Sequence, residues 1–419
     1  MKVKLEYGRT GLMVELPDTV EVIRSRYTQA LSDEVKEIRN SLRNPIQAKP
    51  LRDWVTRSSK VVISHSDITR ATPNSRLLPV ILDELVDAGV PRKNITLLNS
   101  LGTHRFQTES ELRAMLGDDI VDHYRCIQHN AFDDNSLVSL GNTSFGHPVR
   151  LNRELVEADV RILTGLIEPH FFAGFSGGPK AVLPALAGSE SVFTNHGYHM
   201  IADPRATWGI TEGNPIWEEM MEMALRISPA FLVNVVINSD RKITGVFAGD
   251  IRTAHSKGCG YVRESAMVKV NEPYDVVLTT NSGYPLDQNL YQAVKGMSAA
   301  SQIVRQGGAI ICAAACEDGL PDHGKYAALL AQAGSPRGIL DMISKPGYSE
   351  QDQWQVQIQA MIQLKADVYV YSHHLTDEQI TRALFKPCRD IPSLLNELMA
   401  QYGKRVCAMP EGPQTIAYL

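Results

Sequence analysis

The feature that most constrains this chain is an alternation of short β-branched runs with helical periodicities, starting near residue 60. Lys60-Val61-Val62-Ile63-Ser64 reads as a buried strand. After a polar loop, Leu78, Ile81, Leu82, Leu85 and Val86 recur at helical spacing, and Gly89 ends the helix. Ile95–Leu98, Val160–Thr164 and Phe231–Ile237 supply further strands. Such alternation predicts an α/β fold, a mostly parallel sheet covered by helices on both faces. The pattern restarts after Asn271-Glu272-Pro273, with strands at Asp275–Thr280, Ala309–Cys312 and Ala366–Tyr371 and a helix over 287–306. The expected architecture is two Rossmann-like α/β domains with a cleft between them. The first spans 1–270 and the second 271–386, and residues 387–419 return to the first through Arg405–Pro410. At the start, Val3, Leu5 and Tyr7 alternate, Gly8–Gly11 turns, and Leu12, Val14 and Leu16 alternate back, which predicts a β-hairpin.

Composition narrows the function. With 42 basic and 47 acidic side chains the formal charge is −5, so binding nucleic acid through phosphate neutralisation is disfavoured. No apolar run approaches the roughly 18 residues of a membrane span, and the N-terminus has no signal-peptide core. Six cysteines in 419 residues make no disulfide framework. The close pair Cys312 and Cys316 lies in an apolar stretch and reads as buried thiols, and a reducing, cytoplasmic address fits.

In open α/β sheets ligands bind beyond the carboxyl ends of the strands. Those ends carry Asp67-Ile68-Thr69-Arg70, Gly102-Thr103-His104-Arg105, and the block Glu168-Pro169-His170 through Gly177-Gly178-Pro179-Lys180. In the second unit, Asn281-Ser282-Gly283 leads into Tyr291-Gln292 and Lys295-Gly296. The glycine-rich block is no Walker A loop, since its spacing is wrong and Ala181 stands where Ser or Thr would hold magnesium; no GxGxxG follows a strand either. It reads as a helix start, with Ser176 as cap and Pro179 in the first turn. Lys180 would then meet the positive helix end, as an amine of lowered pKa able to attack a carbonyl carbon or as a point charge for an anion. His104 and His170, each close behind a strand, suit proton exchange on opposite faces of a substrate. His196 and His199 have metal-ligand spacing if they share a helix face. His373-His374 and Asp322-His323 are further candidates.

These residues together are recognisable. Asp67 to Arg70, Gly102 to Arg105, the block from Glu168 to Lys180, Asn195-His196 and Tyr291 to Gly296 resemble the nickel-dependent lactate racemase family. Lys180 lies ten positions after His170, and His196 sixteen positions after that. The resemblance implies a racemase for small 2-hydroxy acids that carries a nickel-pincer nucleotide, a pyridinium-3,5-bisthiocarboxylate mononucleotide. It implies attachment at Lys180, nickel coordination by His196, and general acid/base roles for His104 and His170. Asp67, Ile68, Thr69, Arg70, Gln292 and Lys295 fall on cofactor-contacting positions, and Arg70, Tyr291, Lys295 and Trp354 on substrate-orienting ones. The implied partners are the 2-hydroxy acid and the enzymes that make the cofactor. Lactate or another short 2-hydroxy acid is the expected substrate. Malate, with Arg105 as the cation for its second carboxylate, and sugar-derived acids open to a 2-epimerase are alternatives. In a different class, Lys180 and Arg70 would hold phosphates and the histidines zinc, in a nucleotide-binding hydrolase. A non-catalytic, cofactor-storing protein is a third reading.

Overall fold

The computed structural model describes residues 1–321 and 324–419; Asp322-His323 lie outside the described residues. The chain divides into two compact units, Tyr27–Asn195 with Gly209–Arg263, and Met1–Arg26 with His196–Trp208 and Glu264–Leu419.

In the first unit the β-branched runs become strands because their side chains are buried on both faces, as parallel sheets demand. β1 (Val61–Ser66), β2 (Ile95–Ser100), β3 (Arg125–Gln128), β4 (Val160–Leu166), β5 (Ala230–Ile237) and β6 (Ile243–Asp250) form one sheet in the order β6-β5-β4-β1-β2-β3. All pairs are parallel except β5 with β6. β1 is flanked by β2, with Val61 opposite Ile95, and by β4, with Val61 opposite Val160. The helix predicted after β1 spans Asn74–Asp87 and buries Leu77, Leu78, Ile81, Leu82 and Leu85. Gly89 follows its end with φ +95°, a conformation that favours glycine.

The second unit has its own six-stranded parallel sheet. β7 (Tyr274–Thr280), β8 (Val304–Ala313), β9 (Ala366–Tyr371), β10 (Lys386–Cys388) and β11 (Val406–Met409) run in the order β10-β9-β8-β7-β11, and the two-residue strand Glu21–Val22 closes the far edge. The helix expected over 287–306 is shorter, Leu290–Ser301, because the Asn289 side chain caps it. The N-terminal hairpin forms with Val3 opposite Val14 and packs its apolar face on this sheet.

Two expectations need correction. Residues 387–419 do not return to the first sheet. The helix Ile391–Tyr402 carries the chain across to β7, where Val406–Met409 pair in parallel with Val276–Thr279. All four residues of β11 are buried, so the run needs a neighbour on each side, and it has β7 and Glu21–Val22. A boundary at residue 270 also misses the chain's traffic, because residues 1–26 and 196–208 cluster with the later unit. Hydrophobic periodicity reports which residues are buried but not which sheet buries them.

Phe231 in β5 is fully buried and meets Trp54 edge-on at 5.4 Å. Phe231→Ala is expected to cost about 3–5 kcal/mol, seen as a lower midpoint in chemical denaturation.

Candidate active site

The first sheet changes direction between β1 and β4. From β1 the chain moves outward through β2 and β3, then crosses back to β4 and moves the other way. Loops leaving β1 and β4 therefore diverge, and the crevice between them is the usual ligand position in open α/β sheets. The loops after β1, β2 and β4 carry Asp67–Arg70, His104, and His170 with Lys180.

Asp67 is buried with both oxygens engaged. Oδ1 accepts from the Thr69 amide at 3.2 Å and its hydroxyl at 2.7 Å, and Oδ2 lies 2.6 Å from His104 Nδ1. Burial pushes this carboxyl up, but the bond and charge of His104, with Arg70 and the Thr69 hydroxyl, outweigh it and hold the pKa below the ordinary value. A carboxylate at Nδ1 keeps a proton there and turns Nε2 outward as the open ring nitrogen. The His104 side chain is 52 % exposed. The two loops are tied, because the Ile68 amide donates to Gln107 Oε1 at 3.1 Å and the Gln107 amide to Gln128 Oε1 at 2.7 Å.

After β4 the chain folds back on itself. Pro169–His170 pairs antiparallel with Gly174–Phe175, and the Ser176 hydroxyl closes the loop by donating to the Leu166 carbonyl at 2.7 Å. His170 packs against Phe171 and Phe172 at 4.9 and 4.6 Å between ring centres, and its Nδ1 accepts from the Ala173 amide at 3.3 Å. Lys180 Nζ lies 5.6 Å from the centre of the same Phe172 ring, so one aromatic side chain borders both residues.

The predicted helix at Lys180 is a single 3-10 turn, Gly178–Ala181. Ser176 is committed to the loop and does not cap it, and one turn is too short for an appreciable helix dipole. The two glycines have a tighter cause. Gly177 and Gly178 have φ of +72° and +53°, and the Gly178 amide donates to Asn234 Oδ1 at 2.7 Å. A Cβ on Gly178 would strike the His255 ring, and one on Gly177 would lie 2.6 Å from Asn234 Oδ1. Burial lowers the His255 pKa to about 4, which keeps the ring neutral, and its Nε2 bonds the Ser176 carbonyl at 2.9 Å. Asn234 and His255 were not singled out from the sequence. The one available signal was a polar residue inside the apolar run Phe231–Ile237.

The second unit holds the other predicted residues. Trp354 Nε1 donates to the Tyr291 hydroxyl at 3.2 Å, and His196 meets the Trp354 ring edge-on at 5.6 Å. Gln292 and Lys295 share the first turns of the helix Leu290–Ser301, with Lys295 Nζ 2.6 Å from Gln292 Oε1. The structure thus gathers His196, Tyr291, Gln292, Lys295 and Trp354. His196 and His199 do not share a helix face: His196 precedes the short helix Tyr198–Ala202 and is buried, whereas His199 is exposed. Arg105 is paired with Glu111 at 2.7 Å. His373 contacts Tyr7 and Tyr371 in an aromatic cluster of the second unit. Cys312 and Cys316 are buried free thiols.

Family models for the N-terminal and C-terminal domains of lactate racemase match residues 7–209 and 269–416. The lactate racemase of Thermoanaerobacterium thermosaccharolyticum is 35 % identical over 423 aligned positions, covering 99 % of this chain and 98 % of that one. The chain belongs to the lactate racemase family. The lactate racemase of Lactiplantibacillus plantarum is 36 % identical over 92 % of this chain and 91 % of its own length. The solved lactate racemase apoprotein from T. thermosaccharolyticum superposes with a TM-score of 0.94 at 34 % identity, with full coverage of both chains. A Thermotoga maritima protein shares the fold at 19 % identity, with a TM-score of 0.67 over 90 % of this chain and 96 % of that one. As a member of this family the protein is an isomerase, a racemase.

Do the residues fit the nickel nucleotide that the resemblance implies? At the ends of β1 and β2, His65 Nε2, both side-chain atoms of Asn99, and Ser100 Oγ are buried without a hydrogen-bond partner, as is Asn74 Oδ1 just beyond. Such groups are costly unless something polar meets them, and a nucleotide's phosphate and ribose supply acceptors and donors of the right kind. Among the described residues no three His, Cys, Asp or Glu side chains gather as a metal site. A metal held chiefly by its own organic ligand needs only one imidazole from the protein. The residues fit the racemase cofactor. No helix among the described residues is long and apolar enough to cross a membrane.

Since folding lowers the Asp67 pKa, its carboxylate contributes stability that is complete above about pH 4, the ordinary unfolded value. That contribution is lost as pH falls through the lower native pKa. Asp67→Asn is expected to be less stable than the parent at neutral pH, with the gap closing on acidification. Unfolding by denaturant across pH measures this, and a gap that widens in acid contradicts it.

Proposed function

We propose that the protein interconverts the D and L forms of a short 2-hydroxy acid, lactate foremost, with His104 and His170 as the acid/base pair. The observation that carries this reading is the 2.6 Å contact between Asp67 and His104 Nδ1. It leaves Nε2 to accept a hydroxyl proton and places a carboxylate behind the imidazolium that results. Asp67, for which the sequence resemblance implied a cofactor contact, thereby gains a role in orienting the base.

When bound, the nickel-pincer nucleotide would supply reversible hydride exchange with C2, first as acceptor and then as donor to the other face. Lys180 would carry it covalently and His196 would offer the imidazole ligand. Asp67 to Arg70, Gln292 and Lys295 would line it, and the unpartnered groups at the ends of β1 and β2 match its polar parts. Arg70, Tyr291, Lys295 and Trp354 would orient the substrate carboxylate and hydroxyl, with the Trp354–Tyr291 bond holding the phenol in place. His104 removes the hydroxyl proton as the C2 centre becomes planar. His170 returns a proton once the keto acid has presented its other face. To act as that acid without becoming an anion His170 must enter doubly protonated, and the long 3.3 Å bond from Ala173 to Nδ1 is the contact it gives up. In the reverse direction the two rings exchange roles. The family's supply of cofactor implies dedicated synthesis enzymes as partners, and six free cysteines suit a reducing, cytoplasmic setting.

His104→Ala and His170→Ala are each expected to lower racemisation by roughly 10²–10⁴-fold while nickel content stays at the parent level. Retained turnover in either variant refutes that residue's role. Lys180→Ala is expected to lose the covalent adduct in intact-mass measurement, and an unchanged adduct overturns the tether.

A further inference from the structure

Arg105 directly follows His104 and is the cation nearest to it along this loop, the candidate partner for a second substrate carboxylate. Its guanidinium is already taken. Nη1 and Nη2 reach the two Glu111 oxygens at 2.9 and 2.7 Å, a two-pronged ion pair, and Nη1 also donates to the Phe106 carbonyl at 2.8 Å. Glu111 is itself held, because Oε2 accepts from the Thr108 amide at 2.8 Å as half of a capping box at the start of the helix Glu109–Leu116. Arg105 and that amide lower its pKa to about 2, so the pair stays ionised throughout the working range. The neighbouring loop residues Ile68 and Phe106 are exposed apolar side chains, 45 % and 54 % accessible. Beside His104 the surface therefore offers hydrocarbon and a neutralised guanidinium. A methyl group suits such a surface, whereas a carboxylate there would lose water without gaining a counter-charge.

We propose that Glu111 sets the substrate class by withholding Arg105, so that 2-hydroxy monocarboxylates are accepted and 2-hydroxy dicarboxylates refused. The inference rests on the acid/base role of His104 proposed above. An exposed ion pair adds little to folding stability, so what Glu111 controls is where the guanidinium points. Glu111→Gln isolates that control, because glutamine keeps the reciprocal cap and removes the charge.

The test uses protein loaded with cofactor, its occupancy checked by intact mass, and compares racemisation of D-lactate and D-malate. Calorimetric titration of both acids gives their Kd values on the same preparations. The parent is expected to favour lactate strongly. Glu111→Gln is expected to raise the malate-to-lactate ratio by roughly tenfold, the worth of one charge-assisted hydrogen bond, with malate Kd tightening in step and lactate turnover kept. Adding Arg105→Ala to Glu111→Gln is expected to restore the parent ratio. A parent that turns over malate as fast as lactate, or a ratio that Glu111→Gln leaves unmoved while lactate turnover persists, overturns this inference alone. A loaded parent inert on both acids overturns the proposed lactate activity and this inference with it.

Discussion

The site depends on the parallel pairing of β1 with β4, Val61–Ser64 against Val160–Leu163, at the centre of the first sheet. These strands are adjacent in space and about 100 residues apart in sequence, and the chain leaves them in opposite directions. That divergence opens room at their carboxyl ends and brings Asp67 and the His170–Lys180 block to one edge of the sheet. β2, on the other side of β1, adds His104. Every strand of this central set is buried, so hydrophobic burial maintains the register that aligns the polar loops.

A second constraint is steric. The turn bearing Lys180 presses its backbone against Asn234 and His255 so closely that no side chain fits at Gly177 or Gly178. Burial keeps His255 neutral, so it can donate to the Ser176 carbonyl without leaving a charge in the core. The amine is thus presented from a rigid turn. In the second unit, buried glutamines do comparable work from one helix, Gln353–Lys365. Gln355 donates to the Tyr291 carbonyl at 2.5 Å and Gln357 to the Tyr198 carbonyl at 2.9 Å, anchoring the segments that carry Tyr291 and follow His196.

Much of this was legible in the sequence, for identifiable reasons. β-branched runs and helical spacing are local, so the strands over Val61–Ser64, Ile95–Leu98, Val160–Thr164, Phe231–Ile237 and Asp275–Thr280 and the helix ended by Gly89 could be read directly. The hairpin at Met1–Leu16 follows from strict alternation around a glycine turn. Motif intervals, such as that from His170 to Lys180, carried the family. The helix at Lys180 was misread because Pro179 and Ser176 mimic a helix start, although the serine hydroxyl is spent on a long-range bond to Leu166. The shared face for His196 and His199 failed for a similar reason: Gly197 lies between His196 and the helix that begins at Tyr198.

The sequence by itself determined the central strands of both sheets, the α/β class, the family and the chemical types gathered at the strand ends. All of these are set by local periodicity and by residue identity. Only the tertiary structure decided that β11 joins β7, that Asp67 meets His104, and that Arg105 is bound by Glu111. Each is a choice among partners made by packing and hydrogen-bond geometry between residues remote in the chain or on a folded loop, and spacing along the polymer carries no record of it.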